Sequence, residues 1–415
     1  MIVRCIEKEC SCVMEVERQG VPYYCPKCCG KMEEVVEEQL TAMDWCQLGI
    51  FLSENEKEEE ALSCFLKSAK EGEPWGICNL GWCYETGTGV EQDERQAVWL
   101  YKQAAELSYM PAYCNLGWCY EHGIGVAVDM ELAVEAYKKA AEDDFARGQR
   151  LLAICYAYGN GTEQNEEMAF LLMEDAAHNG DLDAIYYLGT FYWNGIGTEV
   201  NYKRAVQIFK QLIEEMEDPD ALFYLGYAYG NGTGAERDDE ISFSYYKRSA
   251  LAGELTAKNN LADDYYLGRG TEKNIEEAIF WYEESAEDGN DDACCTIGRF
   301  YEEGIGVAME PERAADYYEK ACKSKTENKG LECYLRMAFC YYTGFGRERE
   351  EKKAEELLRM GFSLLEGQER VTKEILRRRN QFVCEGTIKT LVSKLLSFCN
   401  DSDLREKLEE IQKYF

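Results

Sequence analysis

Eight Gly-x-Gly pairs cut most of this 415-residue chain into nearly equal intervals. They begin at Gly87, Gly123, Gly159, Gly195, Gly232, Gly268, Gly304 and Gly344, with steps of 36, 36, 36, 37, 36, 36 and 40 residues. A fixed period of this length means one supersecondary unit repeated and stacked, because a single unit cannot bury its own apolar face. No other property of the chain restricts its fold as much.

Each loop lies between two helical signals. Upstream, a Leu-Gly pair is followed by Tyr, as in Leu80-Gly81-Tyr84, Leu116-Gly117-Tyr120, Leu188-Gly189-Tyr192 and Leu225-Gly226-Tyr229. That spacing puts Leu and Tyr on one helical face, and Gly81 lets a neighbouring helix approach closely. The loop glycines supply the positive φ that ends this helix. Four residues past the second glycine stand Asp93, Asp129, Asn165, Asn201, Asp238 and Asn274, side chains suited to cap the next helix; Glu310-Pro311 takes this place at the seventh loop. Small and large residues then alternate at a spacing of four, as in Ala97/Tyr101, Ala133/Tyr137 and Ala314/Tyr318, the pattern two close-packed helices require. The unit is helix, glycine loop, helix.

A shorter unit, with "SENEKEEE" in place of the glycine loop, precedes the first loop, making nine over residues 41–362. A polar, degenerate first unit suits the end of a stack. Residues 363–415 lose the period but keep helical spacing in "TIKTLVSKLLSFC" and "LREKLEEIQKYF", as expected of a helical cap.

The run "AYCNLGWCYEHGIGVAVDMELAVEAYKKAAE" from Ala112 to Glu142 resembles the Sel-1-like repeat, a relative of the tetratricopeptide repeat. The resemblance implies an all-α fold, a right-handed α-solenoid, that binds other proteins as a scaffold or adaptor without catalysis. Secreted, cysteine-rich relatives join the end of one unit to the start of the next by a disulfide; only Cys322 and Cys333 sit in comparable places here. By analogy with tetratricopeptide geometry, the first helix of each unit lines an inner surface. Trp82 and Trp118 beside Asn79 and Asn115 then form an aromatic platform for a peptide, extended by Tyr187, Trp193, Tyr224 and Tyr227.

The formal charge of −34 opposes a general phosphate-binding surface. The charge is uneven: residues 347–415 carry +1 and residues 1–346 carry −35. The N-terminus lacks a signal-peptide pattern, and no run of about 18 apolar residues could span a bilayer. Twenty cysteines in such a chain read as reduced thiols or metal ligands, and the expected compartment is the cytoplasm. Cys78 and Cys83, five apart on one helix, are separated by about 7.5 Å along its axis and point to different sides. Small buried hydrophobes describe them, and the recurring Cys119 and Cys155, better than ligands.

The N-terminal segment differs. Cys25-Pro26-Lys27-Cys28 is a metal knuckle, Cys5-x4-Cys10 a looser one, and "VMEVERQGVPYY" fits two short strands joined at Gly20. Four thiolates so spaced suit a structural zinc ion held by Cys5, Cys10, Cys25 and Cys28, with Cys12 and Cys29 as competitors. The segment resembles the zinc ribbons attached to many bacterial proteins. Residues 1–32 are therefore expected to form a small β zinc ribbon, followed by a linker over 33–40.

Both histidines, His122 and His178, sit at helix ends without a nucleophile or carboxylate pattern, and the glycine loops lack the strand and lysine of a nucleotide site. A non-catalytic adaptor binding a protein or peptide is the first reading, with small-molecule substrates disfavoured. A nucleic-acid-associated regulator, using the ribbon or "LRRRNQ" near Arg377, is the second, and a thiol-redox role for the N-terminal cysteines a distant third.

Overall fold

The computed structural model describes residues 2–5, 13–15, 32–35, 39–323, 331–364 and 385–412. Three strands come first: β1 (Ile2–Cys5), β2 (Val13–Glu15) and β3 (Met32–Val35). They form an antiparallel sheet in the order β2-β1-β3, with Ile2 opposite both Glu15 and Val35, and Cys5 opposite Met32. The boundary expected between ribbon and linker thus falls inside β3, since Glu33 and Glu34 are paired to β1 by backbone hydrogen bonds. Of "VMEVERQGVPYY", only β2 lies in the described residues. β2 lies against the first helix, and Ile2 packs on the core of the first repeats.

Nine helix pairs follow. Their first helices are α1 (Ala42–Glu54), α3 (Pro74–Thr86), α5 (Met110–His122), α7 (Ala146–Tyr158), α9 (Leu182–Asn194), α11 (Pro219–Asn231), α13 (Leu255–Leu267), α15 (Asp291–Glu303) and α17 (Leu331–Thr343). Their second helices are α2 (Glu58–Lys70), α4 (Glu94–Glu106), α6 (Met130–Glu142), α8 (Glu166–His178), α10 (Tyr202–Glu215), α12 (Asp239–Leu251), α14 (Ile275–Glu287), α16 (Pro311–Lys323) and α18 (Glu351–Ser363). The chain divides into two compact units within α10, an N-terminal one to Ile208 and a C-terminal one from Phe209.

The loop chemistry explains the regular helix ends. Gly87 caps α3 in the left-handed conformation at φ 76°, its N–H donating to the Cys83 carbonyl; Gly89 repeats the sign at φ 71°. Asp93 then accepts from the Gln96 N–H at 3.0 Å, and Asp129 does the same for Leu132. Such caps contribute about 1 kcal/mol each. A further bond closes the loop: the Asp93 N–H donates 2.9 Å back to the Tyr84 carbonyl, and Asp129 to Tyr120, Asn165 to Tyr156 and Asn274 to Tyr265 repeat it.

Within each pair, the eighth residue of the first helix faces the eighth of the second. Gly81 meets the Tyr101 ring, Gly226 that of Tyr246 and Gly298 that of Tyr318; a Cβ built on Gly81 would stand 2.8 Å from Tyr101 Cε1. Tyr101, Tyr137 and Tyr318 are fully buried, and their hydroxyls donate to Glu85, Glu121 and Glu302. Ala262 replaces glycine opposite Tyr282, whose hydroxyl bonds instead to Asp263.

At the C-terminal end, α19 (Glu385–Phe398) and α20 (Ser402–Gln412) lie against α17 and α18. Leu391, Val392, Leu395, Leu404 and Leu408 join the core that holds Leu335 and Leu358. No helix among the described residues is long and apolar enough to cross a membrane.

Candidate protein-binding groove

In the N-terminal unit, the residue after the helical glycine points out of the packed layer. Gly81 and Gly117 hold their faces against Tyr101 and Tyr137, so Trp82 and Trp118 turn away from the helix-pair core. They remain 40% and 41% exposed, a large apolar surface left to solvent. Both line one cavity of about 530 Å³, with Asn79, Asn115, Cys78, Glu54, Glu85 and Arg147 among its walls. Trp118 is further fixed by stacking on His122, with ring centroids 3.6 Å apart and planes inclined by 27°. The His122 Nδ1 lies 3.1 Å from the Trp118 carbonyl.

The two asparagines are placed by the preceding repeat. Asn79 Nδ2 donates to the Trp75 carbonyl at 3.0 Å and to Cys46 Sγ at 3.4 Å; Asn115 Nδ2 donates to Cys78 Sγ at 3.4 Å. The Asn79 NH2 is thus divided between its own helix and the preceding repeat, and the Asn115 NH2 makes one bond to the preceding repeat, contacts that the sequence pattern did not reveal. Burial pushes the Cys46 and Cys78 thiols up to about 12, against the smaller opposing pull of these amides. They are neutral sulfur acceptors at physiological pH, not nucleophiles.

The remaining aromatic candidates lie elsewhere. Tyr187 is half-buried against Tyr186, with centroids 5.4 Å apart, and Trp193 packs edge-on to Tyr202 at 5.0 Å. In the C-terminal unit Tyr224 stacks on Phe209 at 4.9 Å, whereas Tyr227 is 41% exposed. Thus Asn79, Trp82, Asn115 and Trp118 share one cavity, while Tyr187, Trp193 and Tyr224 are in packed ring pairs. Arg147 and the two glutamates of the rim were missed because single charges carry no motif; only their register in the repeat would have found them.

Among the metal candidates, Cys5 ends β1, and Cys10, Cys25 and Cys28, like Cys12 and Cys29, lie outside the described residues. Cys83, Cys119 and Cys155 are buried free thiols. The expectation of reduced thiols needs one correction: Cys295 is disulfide-bonded to Cys333, with Cα atoms 5.8 Å apart. Cys322, which the resemblance set beside Cys333, is half-buried near the end of α16. The first helices of adjacent repeats run close enough at this point to bring the two Cα atoms within disulfide range.

Helix pairs stacked with a fixed register define an α-solenoid of the kind typical of protein-interaction scaffolds. Nine consecutive segments match the Sel1 repeat, at residues 42–73, 76–109, 111–145, 146–181, 182–215, 219–254, 256–290, 291–325 and 331–364. The chain belongs to the Sel1 repeat family. It is similar to a Sel1 repeat protein from Oxalobacter formigenes, at 33% identity over 57% of this chain and 94% of that one, with a TM-score of 0.52. A protective antigen of uropathogenic Escherichia coli, c5321, shares the fold at 24% identity over 91% of this chain and 88% of its own, with a TM-score of 0.57. No curated protein matches the chain.

Proposed function

We propose that this protein is a non-catalytic interaction scaffold that holds a protein segment in the Trp82–Trp118 groove. The observation that carries the reading is the pair of indoles, each about two-fifths exposed, lining one cavity. Covering the exposed part of each, about 100 Å², is worth about 2–3 kcal/mol before ordering costs. Tryptophans so placed are the commonest binding hot spots. The charged rim of Glu54, Glu85 and Arg147 would set the orientation of the bound segment. A displayed random-peptide library panned on the full chain tests this. Selected peptides should protect Trp82 and Trp118 from N-bromosuccinimide oxidation while leaving Trp99, 52% exposed outside this cavity, reactive. Equal oxidation with and without peptide refutes the site.

The N-terminal sheet is proposed to carry a structural zinc ion on Cys5, Cys10, Cys25 and Cys28. Its register supports this: Cys5, the start of the connection bearing Cys10, and Met32, which follows Cys25 and Cys28, stand at one end of the sheet. The ion would supply folding energy to a three-stranded sheet too small to hold a core of its own. The cytoplasm is the proposed compartment, on the free thiols of Cys46, Cys78, Cys114 and Cys155, although the Cys295–Cys333 disulfide points the other way.

A further inference from the structure

The charges of the Trp82–Trp118 cavity are not spread evenly along it. Asn79, Trp82 and Glu85 are the sixth, ninth and twelfth residues of α3, a spacing of three that keeps them on one helical face. Trp118 repeats the ninth place on α5, and Glu54 is the last residue of α1. Both cavity glutamates therefore stand in the last turn of their helices, within a turn or so of the level of the indoles. Successive first helices run in the same direction, each joined to the next through one returning helix. Arg147, the second residue of α7, therefore stands at the opposite end, about 15 Å from the level of Glu85 at 1.5 Å per residue. The cavity has an acidic, aromatic end and a basic end.

A carboxylate at a helix C-terminus adds to the negative end of the helix dipole, a place that favours cations. Neither α1 nor α3 has a basic side chain in its last turn. Glu85 accepts the Tyr101 hydroxyl at 2.6 Å through one oxygen, and a carboxylate has room for further donors. Glu54 is exposed, and neither glutamate is ion-paired among the described residues. The surroundings deepen the negative potential, since residues 1–346 hold a net charge of −35. The indoles add to it in a directional way, because the face of an indole ring attracts a cation. His122 covers one side of Trp118, so a ligand in the cavity meets the other.

Resting on the reading of this groove as a protein-binding site, we infer that its partner is a segment bearing a lysine or arginine. That side chain lies against the Trp82 and Trp118 faces with its charge towards Glu85 and Glu54. Its alkyl stem covers apolar ring surface while the cationic head meets the carboxylates. A neutral apolar side chain would cover the same rings but would strip water from two carboxylates without supplying a counter-charge. An acidic side chain would be repelled there. Arg147 keeps the far end of the cavity unfavourable to a cation, so the basic side chain has one place to go.

The test uses pools of short peptides, acetylated and amidated, with lysine, norleucine or glutamate at one fixed position and mixed uncharged residues elsewhere. Their binding to the immobilised full chain is measured at physiological ionic strength. The lysine pool should bind about 10-fold more tightly than the norleucine pool, or better, and the glutamate pool most weakly. Glu54→Gln/Glu85→Gln should bring the lysine and norleucine pools close together. Glutamine at position 85 still accepts the Tyr101 hydroxyl, and Glu54→Gln alone, at an exposed place, should reduce the preference in part without touching the fold. Glu131→Gln, exposed in the first turn of α6, should keep the full preference. Norleucine binding as tightly as lysine, with both lost in Trp82→Ala/Trp118→Ala, overturns the basic partner and leaves the groove standing. A lysine preference that survives Glu54→Gln/Glu85→Gln, or falls equally in Glu131→Gln, is attraction to an acidic chain at large and also overturns the proposal. If no pool binds in a way that depends on the two tryptophans, groove and partner fall together.

Discussion

Replacing Gly81 by alanine tests the packing rule that aims the groove. The new Cβ would stand 2.8 Å from Tyr101 Cε1 and 3.0 Å from Cδ1. The ring cannot swing away freely, since Tyr101 is fully buried and its hydroxyl donates 2.6 Å to Glu85. Forcing a methyl into such a site costs about 1–3 kcal/mol, while alanine gains about 1 kcal/mol of helix propensity over glycine. The net loss is thus about 0–2 kcal/mol, and the coupling to Tyr101 is the sharper quantity. At two of the three places where the chain itself carries alanine, Ala153 and Ala338, the facing residues are Met173 and Leu358; at the third, Ala262, the facing Tyr282 gives its hydroxyl to Asp263 instead. Tyr101→Met should therefore relieve Gly81→Ala, with a coupling of about 1–3 kcal/mol in a double-mutant cycle. Thermal unfolding followed by far-ultraviolet circular dichroism measures all four proteins. A Gly81→Ala chain as stable as the wild type, with no coupling to Tyr101→Met, would refute the reasoning.

Three other outcomes are expected. Burial holds the Cys114, Cys119 and Cys155 thiols up to about 12 and Cys83 up to about 11, whereas unfolded thiols titrate near 8.5. The folded state therefore keeps protons that the unfolded state loses, so stability is full below pH about 8.5 and falls as pH rises towards about 12; urea midpoints across that range check it, and a flat profile contradicts it. Metal analysis of the full chain should give close to one zinc per molecule, and Cys25→Ser with Cys28→Ser should abolish it; retention of zinc in that variant would remove the proposed ligands. Peptide mapping without reductant should recover the Cys295–Cys333 cross-link, and Cys333→Ser should cost about 4 kcal/mol through loss of a loop closed over 38 residues.

The glycine period, the capping Asp and Asn residues and the alternation of small and large positions made the nine hairpins legible, because each is a local rule repeated many times. The packing of Gly81 on Tyr101 follows from the same repetition. The site was legible only in part. Trp82 and Trp118 stand out by register, but the engagement of Asn79 with Cys46 depends on how one repeat sits on the next. That distance no single repeat encodes. Cys295 and Cys333 were not paired on sequence grounds for the same reason: the contact joins two first helices, 38 residues apart.

The central claim, that Trp82 and Trp118 serve recognition and not the core, is tested most directly by one paired measurement on Trp82→Ala/Trp118→Ala. Affinity for a library-selected peptide and the thermal midpoint are recorded on the same preparation. The account predicts binding about 30-fold weaker or more, as for a hot spot of about 2 kcal/mol, with helix content and midpoint close to wild type. A midpoint that collapses, or an affinity that does not change, would contradict it.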